Sequence, residues 1–187
     1  MHDTTTTILD AARDVFGQRG FAGASMRAIA DAAGVSRPTV YARYKNKEAV
    51  FRAVYQRTFD AALAGVRAAL QRDGGLDVRL GDALDAYFGT IFSAMIGLAQ
   101  AQDLLAQQER LAGDIVREAE AALRAALLST LADAGEVSLD GASRDELVTL
   151  LLLAPRALKG PDRDMVVFRQ RLRLLARLAA SAVLPAR

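Results

Sequence analysis

Cysteine is absent from the 187-residue chain, and histidine occurs once, as His2. Without cysteine the chain cannot form disulfides, thiolate metal sites or a cysteine nucleophile. A single histidine beside the chain terminus argues against a histidine general base and a multi-histidine metal site. Acidic pairs such as Glu118 with Glu120 lie two residues apart, so on a helix they point to different faces. We therefore expect a protein that is not an enzyme, with no catalytic residue, no metal site and no cofactor.

Long apolar runs are absent as well. The longest charge-free stretch, residues 86–102, contains polar residues and glycines and is shorter than the roughly 20 largely apolar residues that span a bilayer. The first seven residues contain no apolar run of the kind that a secretory signal has. We expect no membrane partner, a buried helix over the charge-free stretch, and a cytoplasmic location.

The residues that are abundant indicate a folded chain with an uneven charge. Hydrophobic residues make up 52% and charged residues 25%, which excludes disorder and favours one compact domain or two small lobes that share a long helix. Residues 1–57 hold 9 basic and 5 acidic side chains, a net charge of +4, and the remainder holds 15 and 17. This distribution favours a polyanionic partner at the N-terminal end.

Apolar residues recur at helical spacing along almost the whole chain, and no stretch alternates long enough to predict a sheet. The first predicted helix ends near Gly20, and the fourth begins after Asn46, its expected cap, and continues to about residue 70. Beyond that helix, breaks in the apolar spacing predict five more, over about 77–99, 102–112, 114–133, 143–158 and 163–183.

Residues 25–44 are the most informative segment, because two short helices (25–33 and 37–44) are predicted on either side of a tight turn. Ser25 and Ser36 suit the N-caps of these helices, since a serine hydroxyl accepts from a first-turn N–H. Gly34 suits the left-handed position that ends the first helix, and Pro38 is tolerated in the first turn of the second. The arrangement indicates a helix-turn-helix. By spacing alone, a generic helical hairpin with solvated charges is the alternative.

The polar side chains of this segment suit DNA. Arg37 can donate two hydrogen bonds to guanine N7 and O6, and Thr39 can reach a base edge or a thymine methyl. Ser25 can present its hydroxyl and backbone N–H groups to a phosphate. The same surface offers further polar groups on or just after the second helix: Tyr41, Arg43, Tyr44 and Lys47.

Two segments, ILDAARDVFGQRGF (8–21) and MRAIADAAGVSRPTVYARYKNKEAV (26–50), resemble the tetracycline-repressor (TetR) family of bacterial regulators. The resemblance implies an all-helical homodimer with two DNA-binding heads and a body that holds a small-molecule pocket. It implies that four residues face the bases: Arg37, Pro38, Thr39 and Arg43. It implies that four others contact phosphates: Ser25, Tyr41, Tyr44 and Lys47. The family usually has a small residue where this chain has Pro38, which leaves base specificity open.

We thus predict an all-α fold, with a three-helix helix-turn-helix DNA-binding domain at 1–46, which we call the head. A long helix joins it to a helical ligand-binding and dimerisation domain at 47–187. Phe51 and Tyr55 are expected to brace the head on this helix. The remaining apolar residues of the head are expected to form its core: Phe16, Phe21, Met26, Ile29, Val35 and Val40.

The charge-free helix carries apolar residues on more than one face, so we expect it to be buried nearly all round. In the fold that the resemblance implies, such a helix lines the effector cavity, and plain core packing is the alternative. The predicted pocket residues are Tyr87, Phe88, Ile91, Phe92, Met95 and Ile96. A mainly apolar lining predicts a lipophilic or aromatic effector.

The last two helices carry more leucine and valine than one chain can hide, which predicts a four-helix bundle between two subunits. Pro155 is expected to kink or end the first of them. The predicted interface residues are Leu147, Leu151, Leu158, Leu174 and Leu178.

These observations predict a ligand-responsive transcriptional repressor that binds a palindromic, double-stranded DNA operator as a homodimer and is released by a small effector. The alternative is a DNA-binding activator or architectural protein without small-molecule control.

Overall fold

The structure is a computed structural model that describes residues 3–138, 141–158 and 164–185. The described residues form a helical fold, as predicted, with one short π-helical segment and one pair of short strands. The helices are α1 (Thr4–Gly23), α2 (Met26–Ala33), α3 (Arg37–Tyr41), α4 (Lys47–Gln71), α5 (Leu76–Leu84), α6 (Thr90–Met95), α7 (Ala101–Ala134), α8 (Arg144–Ala157) and α9 (Met165–Ser181). The π segment (Asp85–Gly89) lies between α5 and α6, and the strands are β1 (Gly135–Val137) and β2 (Val183–Pro185).

The predicted helix caps of the N-terminal region are confirmed. The Ser25 hydroxyl accepts from the Ala28 N–H at 3.1 Å, and the Ser36 hydroxyl accepts from the Thr39 N–H at 3.2 Å. Gly34 ends α2 in the left-handed conformation (φ 65°, ψ 27°). The Asn46 side-chain carbonyl oxygen accepts from the Ala49 N–H at 2.8 Å at the start of α4. These local bonds satisfy N–H and C=O groups that helix ends would otherwise leave unpaired.

Helix α1 is interrupted where its predicted end lies. Gly20 has φ 68° and ψ 175°, which is outside the helical region, and the chain then makes one further turn to Gly23. A side chain at this position would be strained, and its Cβ would lie 2.7 Å from an Asp103 carboxylate oxygen.

Helix boundaries differ from the predictions in the middle of the chain. The single helix predicted over 77–99 is α5, the π segment and α6 in succession, and it ends at Met95. The two helices predicted over 102–112 and 114–133 are one helix, α7, with a break in the backbone at Ala112 (φ −139°, ψ 16°). Pro155 lies inside α8, which ends two residues later.

The prediction that the chain has no sheet is wrong at one place. Strands β1 and β2 pair antiparallel, with Glu136 opposite Leu184. Each strand has only three residues, which is too short for an alternating pattern to stand out in the sequence.

By packing, the chain divides into two compact units. The N-terminal unit comprises the described residues of Met1–Thr58 and Met95–Arg117, and the C-terminal unit those of Phe59–Ala94 and Glu118–Arg187. Helices α4 and α7 each contribute to both units. The predicted boundary between the DNA-binding and effector-binding domains, at residues 46/47, remains a prediction. By packing, the first part of α4 and the first part of α7 belong to the same compact unit as the head.

Candidate DNA-binding surface

The helix-turn-helix is held by a dense apolar core in the N-terminal unit. The prediction of this core is confirmed: five of its six residues are buried and Val35 packs against them half-buried. Phe51 is 1% exposed, and its ring lies 5.2 Å from the rings of both Phe16 and Phe21. The Tyr55 ring packs against Phe51 in a tilted arrangement, with 4.7 Å between the ring centres. Such packing fixes the angle between α2 and α3, and the two aromatic residues of α4 brace it as expected.

The outward face of α3 is exposed and polar. Arg37, Pro38 and Tyr41 are exposed, and Tyr41 has 53% of its surface accessible. Thr39 is half-buried, and its hydroxyl lies 2.7 Å from the Ser36 hydroxyl in a hydrogen bond. Regular helix ends at Tyr41, but the Tyr44 N–H still donates to the Val40 carbonyl at 2.9 Å. An exposed, polar helix face with an arginine at its start is suited to enter a major groove.

Arg43 lies in the turn just after α3 and already has an internal partner. Its Nε donates to the Thr5 hydroxyl at 3.2 Å, which ties the turn after α3 to the start of α1. The bond lies at the surface, so Arg43 can contact a base if it gives up this one bond to Thr5.

Three predicted phosphate contacts differ in exposure. Ser25 is exposed at the N-terminus of α2, where its own hydroxyl caps the helix. Tyr44 is half-buried, and this burial raises the pKa of its phenol, so that it stays protonated and can donate at neutral pH. Lys47 is also half-buried.

The Lys47 ammonium is engaged inside the head. It donates to the carbonyl oxygens of Phe21 at 2.6 Å, Ala24 at 2.9 Å and Ala22 at 3.4 Å. It also lies 4.4 Å from the centre of the Phe21 ring. An ammonium group has three N–H donors, so a contact with phosphate, which remains a prediction, requires it to give up at least one of these carbonyl bonds.

Sequence reasoning missed the part of α7 that joins the head. The Phe21 N–H donates to the Asp103 carboxylate at 2.7 Å, and Leu104 is 4% exposed within the head core. The Tyr55 hydroxyl donates to the Leu104 carbonyl at 3.5 Å. Asp103 is 82 positions from Phe21, and the spacing of apolar residues carries no signal for a contact of that range.

The predicted effector residues fall into both packing units. Tyr87, Phe88 and Phe92 are buried in the C-terminal unit and Ile91 is half-buried there. Met95 packs instead against the core of the head. Ile96 also belongs to the N-terminal unit. The predicted group is therefore divided, and its C-terminal part is an aromatic cluster around Tyr87.

The predicted interface residues are divided in the same way. Leu147 is 7% exposed and Leu151 is fully buried within the chain's own core, so neither is available to a partner. Leu158 is half-buried, whereas Leu174 and Leu178 are 49% and 61% exposed. Two other leucines of α8, Leu150 and Leu153, are exposed. The exposed apolar surface of α8 and α9 consists of Leu150, Leu153, Val166, Leu174 and Leu178.

Membrane-spanning helices and acidic metal clusters are both missing from the described part of the chain. Within residues 3–138, 141–158 and 164–185, no helix is both long and apolar enough to cross a membrane. The same residues contain no cluster of three or more acidic or histidine side chains that could hold a metal ion.

Comparison with known proteins places the head in a family. Residues 8–54 match the family model described as bacterial regulatory proteins, tetR family. The chain is 42% identical over 84 residues to the HTH-type transcriptional activator FasR of Mycolicibacterium smegmatis, a match of 45% of this chain. The aligned part covers only 38% of that relative's own length.

Solved structures extend the likeness of fold to nearly the whole chain. Salmonella enterica GusR has a TM-score of 0.71 at 24% identity, with 95% of each chain covered. The transcriptional regulator FadR of Bacillus subtilis, solved in complex with stearoyl-CoA, has a TM-score of 0.64 at 15% identity, covering 96% of this chain and 99% of that one. The relatives are transcriptional regulators and not enzymes. Residues 8–54 thus match the tetR family of bacterial regulatory proteins, and nearly the whole chain has the fold of a solved TetR-like regulator from Rhodococcus.

Proposed function

We propose that the protein is a ligand-responsive transcriptional repressor that binds a palindromic DNA operator as a homodimer. The observation that carries this proposal is the exposed face of α3, which begins with Arg37 behind the Ser36 cap. Arg37 reads a guanine edge in the major groove, with Pro38, Thr39 and Arg43 beside it. The N-terminus of α2 at Ser25 receives a phosphate, and Tyr41, Tyr44 and Lys47 are the further candidates for the DNA backbone.

A second copy of this chain is the proposed occupant of the exposed apolar surface on α8 and α9. Leu178, Leu174 and Leu150 are each about half exposed or more, and large apolar side chains clustered on two helices are typical of an interface between subunits. A two-fold pair of heads reads two equivalent half-sites, which is why the operator is expected to be palindromic.

The proposed effector site is the buried aromatic cluster of the C-terminal unit. It contains Tyr87 and Phe88, and Phe92 lies against Phe168 at a ring distance of 4.9 Å. An apolar site with few polar groups suits a lipophilic or aromatic compound. FadR of Bacillus subtilis, which shares the fold and was solved in complex with stearoyl-CoA, supports the lipophilic class.

Ligand control requires only a modest preference of the effector for one conformer. An effector that weakens DNA binding about 100-fold needs a coupling free energy of about 2.7 kcal/mol. Helix α4, which begins in the head and continues into the C-terminal unit, is the proposed element of communication. In this proposal residues 1–46 bind DNA and residues 47–187 bind the effector and the second subunit.

An activator is the second candidate, because FasR, a relative by sequence, is named an activator. Both candidates bind DNA through the same surface, and they differ in where the operator lies relative to the promoter. Transcription from a reporter carrying the selected operator would fall for a repressor and rise for an activator when the protein is supplied.

The proposal is tested by selecting, from a pool of random DNA duplexes, those that the purified protein binds at about 0.15 M salt. Enrichment of a palindrome with two equivalent half-sites is the expected result. Enrichment of a single asymmetric site contradicts the dimer. No enrichment, repeated after unfolding and refolding to remove any co-purified ligand, contradicts sequence-specific DNA binding.

A further inference from the structure

Tyr87 occupies an unusual place in the C-terminal unit. It lies in the π segment between α5 and α6 and is 2% exposed. Its ring packs against Phe88 at 5.1 Å in an edge-to-face arrangement and lies 6.0 Å from the ring of Phe59. The Tyr87 ring thus packs against apolar rings, and its buried hydroxyl is costly unless it is hydrogen-bonded.

The hydroxyl of Tyr87 has no hydrogen-bond partner among the residues that the structure describes. Buried tyrosine hydroxyls ordinarily find a partner, and an exception calls for an explanation. Phenylalanine would fill the same volume without this cost. Packing among the described residues therefore does not explain the hydroxyl.

The charges of Glu120 and Arg156 both influence the phenol of Tyr87. Glu120 and Arg156 form an ion pair on neighbouring surface, with half of the Arg156 side chain exposed. Burial raises the pKa of Tyr87, Glu120 raises it further and Arg156 lowers it. The phenol is consequently protonated at neutral pH and acts as a donor. Because an apolar environment penalises a charged group, the surrounding aromatic rings favour a neutral acceptor over an anion.

The π segment that carries Tyr87 is fixed by side chains at both ends. The Asp85 carboxylate accepts from Arg169 Nε at 3.0 Å, and the Gly89 carbonyl accepts from the Ser93 hydroxyl. A Cβ on Gly89 would collide with the Asp85 side chain. π segments frequently occur at functional sites, and here the irregular turn holds the phenol at one position among the rings.

We propose that the Tyr87 hydroxyl is the hydrogen-bond donor that anchors the effector, and that the effector is a neutral, largely apolar compound with a carbonyl oxygen. This inference rests on the proposed ligand control and specifies its chemistry. The aromatic rings of Phe59 and Phe88 receive the apolar part of the compound, and the oxygen accepts from Tyr87.

The test uses matched probes on the full chain. Each ketone is paired with the hydrocarbon of the same shape: 4-phenyl-2-butanone with butylbenzene, and 2-octanone with octane. Binding is measured as the rise of Tm with probe concentration. In the wild-type protein we expect at least one ketone to bind about fivefold more tightly than its hydrocarbon, as one hydrogen bond in a buried site predicts.

Tyr87→Phe is the test variant and Tyr55→Phe the matched control, since the Tyr55 hydroxyl already donates to the Leu104 carbonyl. The ketone advantage should vanish in Tyr87→Phe and persist in Tyr55→Phe. Without probe, Tyr87→Phe should unfold at the same temperature as the wild type or a higher one. A marked fall of its Tm would overturn the proposal, because it would mean that the hydroxyl is already satisfied inside the folded chain.

Three other results overturn the proposal: no ketone binds, ketones and hydrocarbons bind equally, or the advantage survives in Tyr87→Phe. None of these results bears on DNA binding, which is measured separately on the selected operator. If ketones bind through Tyr87 but do not release DNA, the anchoring site is real and the proposed ligand control fails.

Discussion

Arg52 of α4 and Asp114 of α7 form a two-pronged ion pair within the N-terminal unit. Arg52 Nη1 donates to Asp114 Oδ1 at 2.8 Å and Nη2 donates to Oδ2 at 2.6 Å. Nη1 also donates to the Leu111 carbonyl at 2.6 Å. The parallel geometry is the strong form of an arginine–carboxylate contact. It joins the start of the long helix to the part of α7 that packs on the head.

This pair predicts a pH-dependent contribution to stability. The Arg52 guanidinium holds the pKa of Asp114 well below its ordinary value of 3.8. A carboxylate whose folded pKa is depressed stabilises the fold above its unfolded pKa, and this contribution is lost as the pH falls through the folded pKa. Asp114→Asn should therefore lower the urea midpoint at about pH 7, and the gap to the wild type should narrow below about pH 4.

Asp14→Asn is the control for this experiment, because Asp14 pairs with its exposed neighbour Arg13 and such surface pairs contribute little. It should leave the midpoint nearly unchanged at both pH values. A gap for Asp114→Asn that is the same in acid as at neutral pH would contradict the assignment.

Lys47 is predicted to stabilise the head from within. Lys47→Met removes a charged donor from the Phe21 and Ala24 carbonyls, and the free energy of unfolding should fall by about 1–3 kcal/mol. Lys45→Met, an exposed neighbour, is the control and should cost little. Urea unfolding of both variants checks this; equal stability of the two would contradict the bracing role.

The salt dependence of DNA binding separates the two roles of Lys47. If the ammonium also contacts a phosphate, the slope of log affinity against log salt should become shallower by about 0.9 in Lys47→Met. An unchanged slope would remove Lys47 from the phosphate contacts and leave it as a structural residue.

Arg37→Ala is predicted to relax the base preference at one position of each half-site, at a cost of about 1–3 kcal/mol for the preferred base. Repeating the duplex selection with this variant measures the change. Arg13→Ala, which alters an exposed arginine of α1, is the control and should keep the full preference profile. An unchanged profile in Arg37→Ala would remove this residue from the base-reading set.

Tyr41→Phe is predicted to weaken binding to all duplexes by a similar factor, because the exposed Tyr41 hydroxyl is assigned to phosphate. The loss of one hydrogen bond predicts about 0.5–1.5 kcal/mol. Binding of the variant to the selected operator and to a scrambled duplex measures both losses. A loss confined to the operator would show that Tyr41 reads a base instead.

Leu178→Glu is predicted to disrupt the homodimer. Leu178 is 61% exposed in the single chain, and a carboxylate placed in an apolar interface costs about 2 kcal/mol or more, which weakens association at least about 30-fold. Leu105→Glu, at a leucine of α7 with 53% exposure, is the control. Sedimentation velocity should show monomers for the first variant only. Dimers of unchanged affinity for Leu178→Glu would place the interface elsewhere.

The parts of the site that sequence could predict depend on local chemistry. Ser25, Gly34 and Ser36 mark helix ends through bonds to residues within four or five positions, so their roles are readable from spacing. The head core is likewise set by a regular apolar stripe.

What sequence could not predict depends on distant contacts or on ambiguous periodicity. The bond between Phe21 and Asp103 spans 82 positions, and that between Arg52 and Asp114 spans 62. In α8 leucine occupies consecutive positions, so the apolar pattern does not say which of Leu150 and Leu151 faces inward; the structure buries Leu151. Tyr87 lies in the π segment, which shifts the side chains that follow it relative to a regular α-helix. A sequence pattern based on α-helical periodicity does not predict this shift.

The central claim, that two heads of a dimer read one palindrome, is tested most directly by stoichiometry and affinity on the selected duplex. The protein is bound to the full palindrome and to a duplex with one half-site scrambled, at about 0.15 M salt. We expect an even number of chains on the full palindrome and a loss of affinity of about 100-fold or more on the scrambled duplex. One chain per duplex, with equal affinity for both duplexes, would contradict the claim.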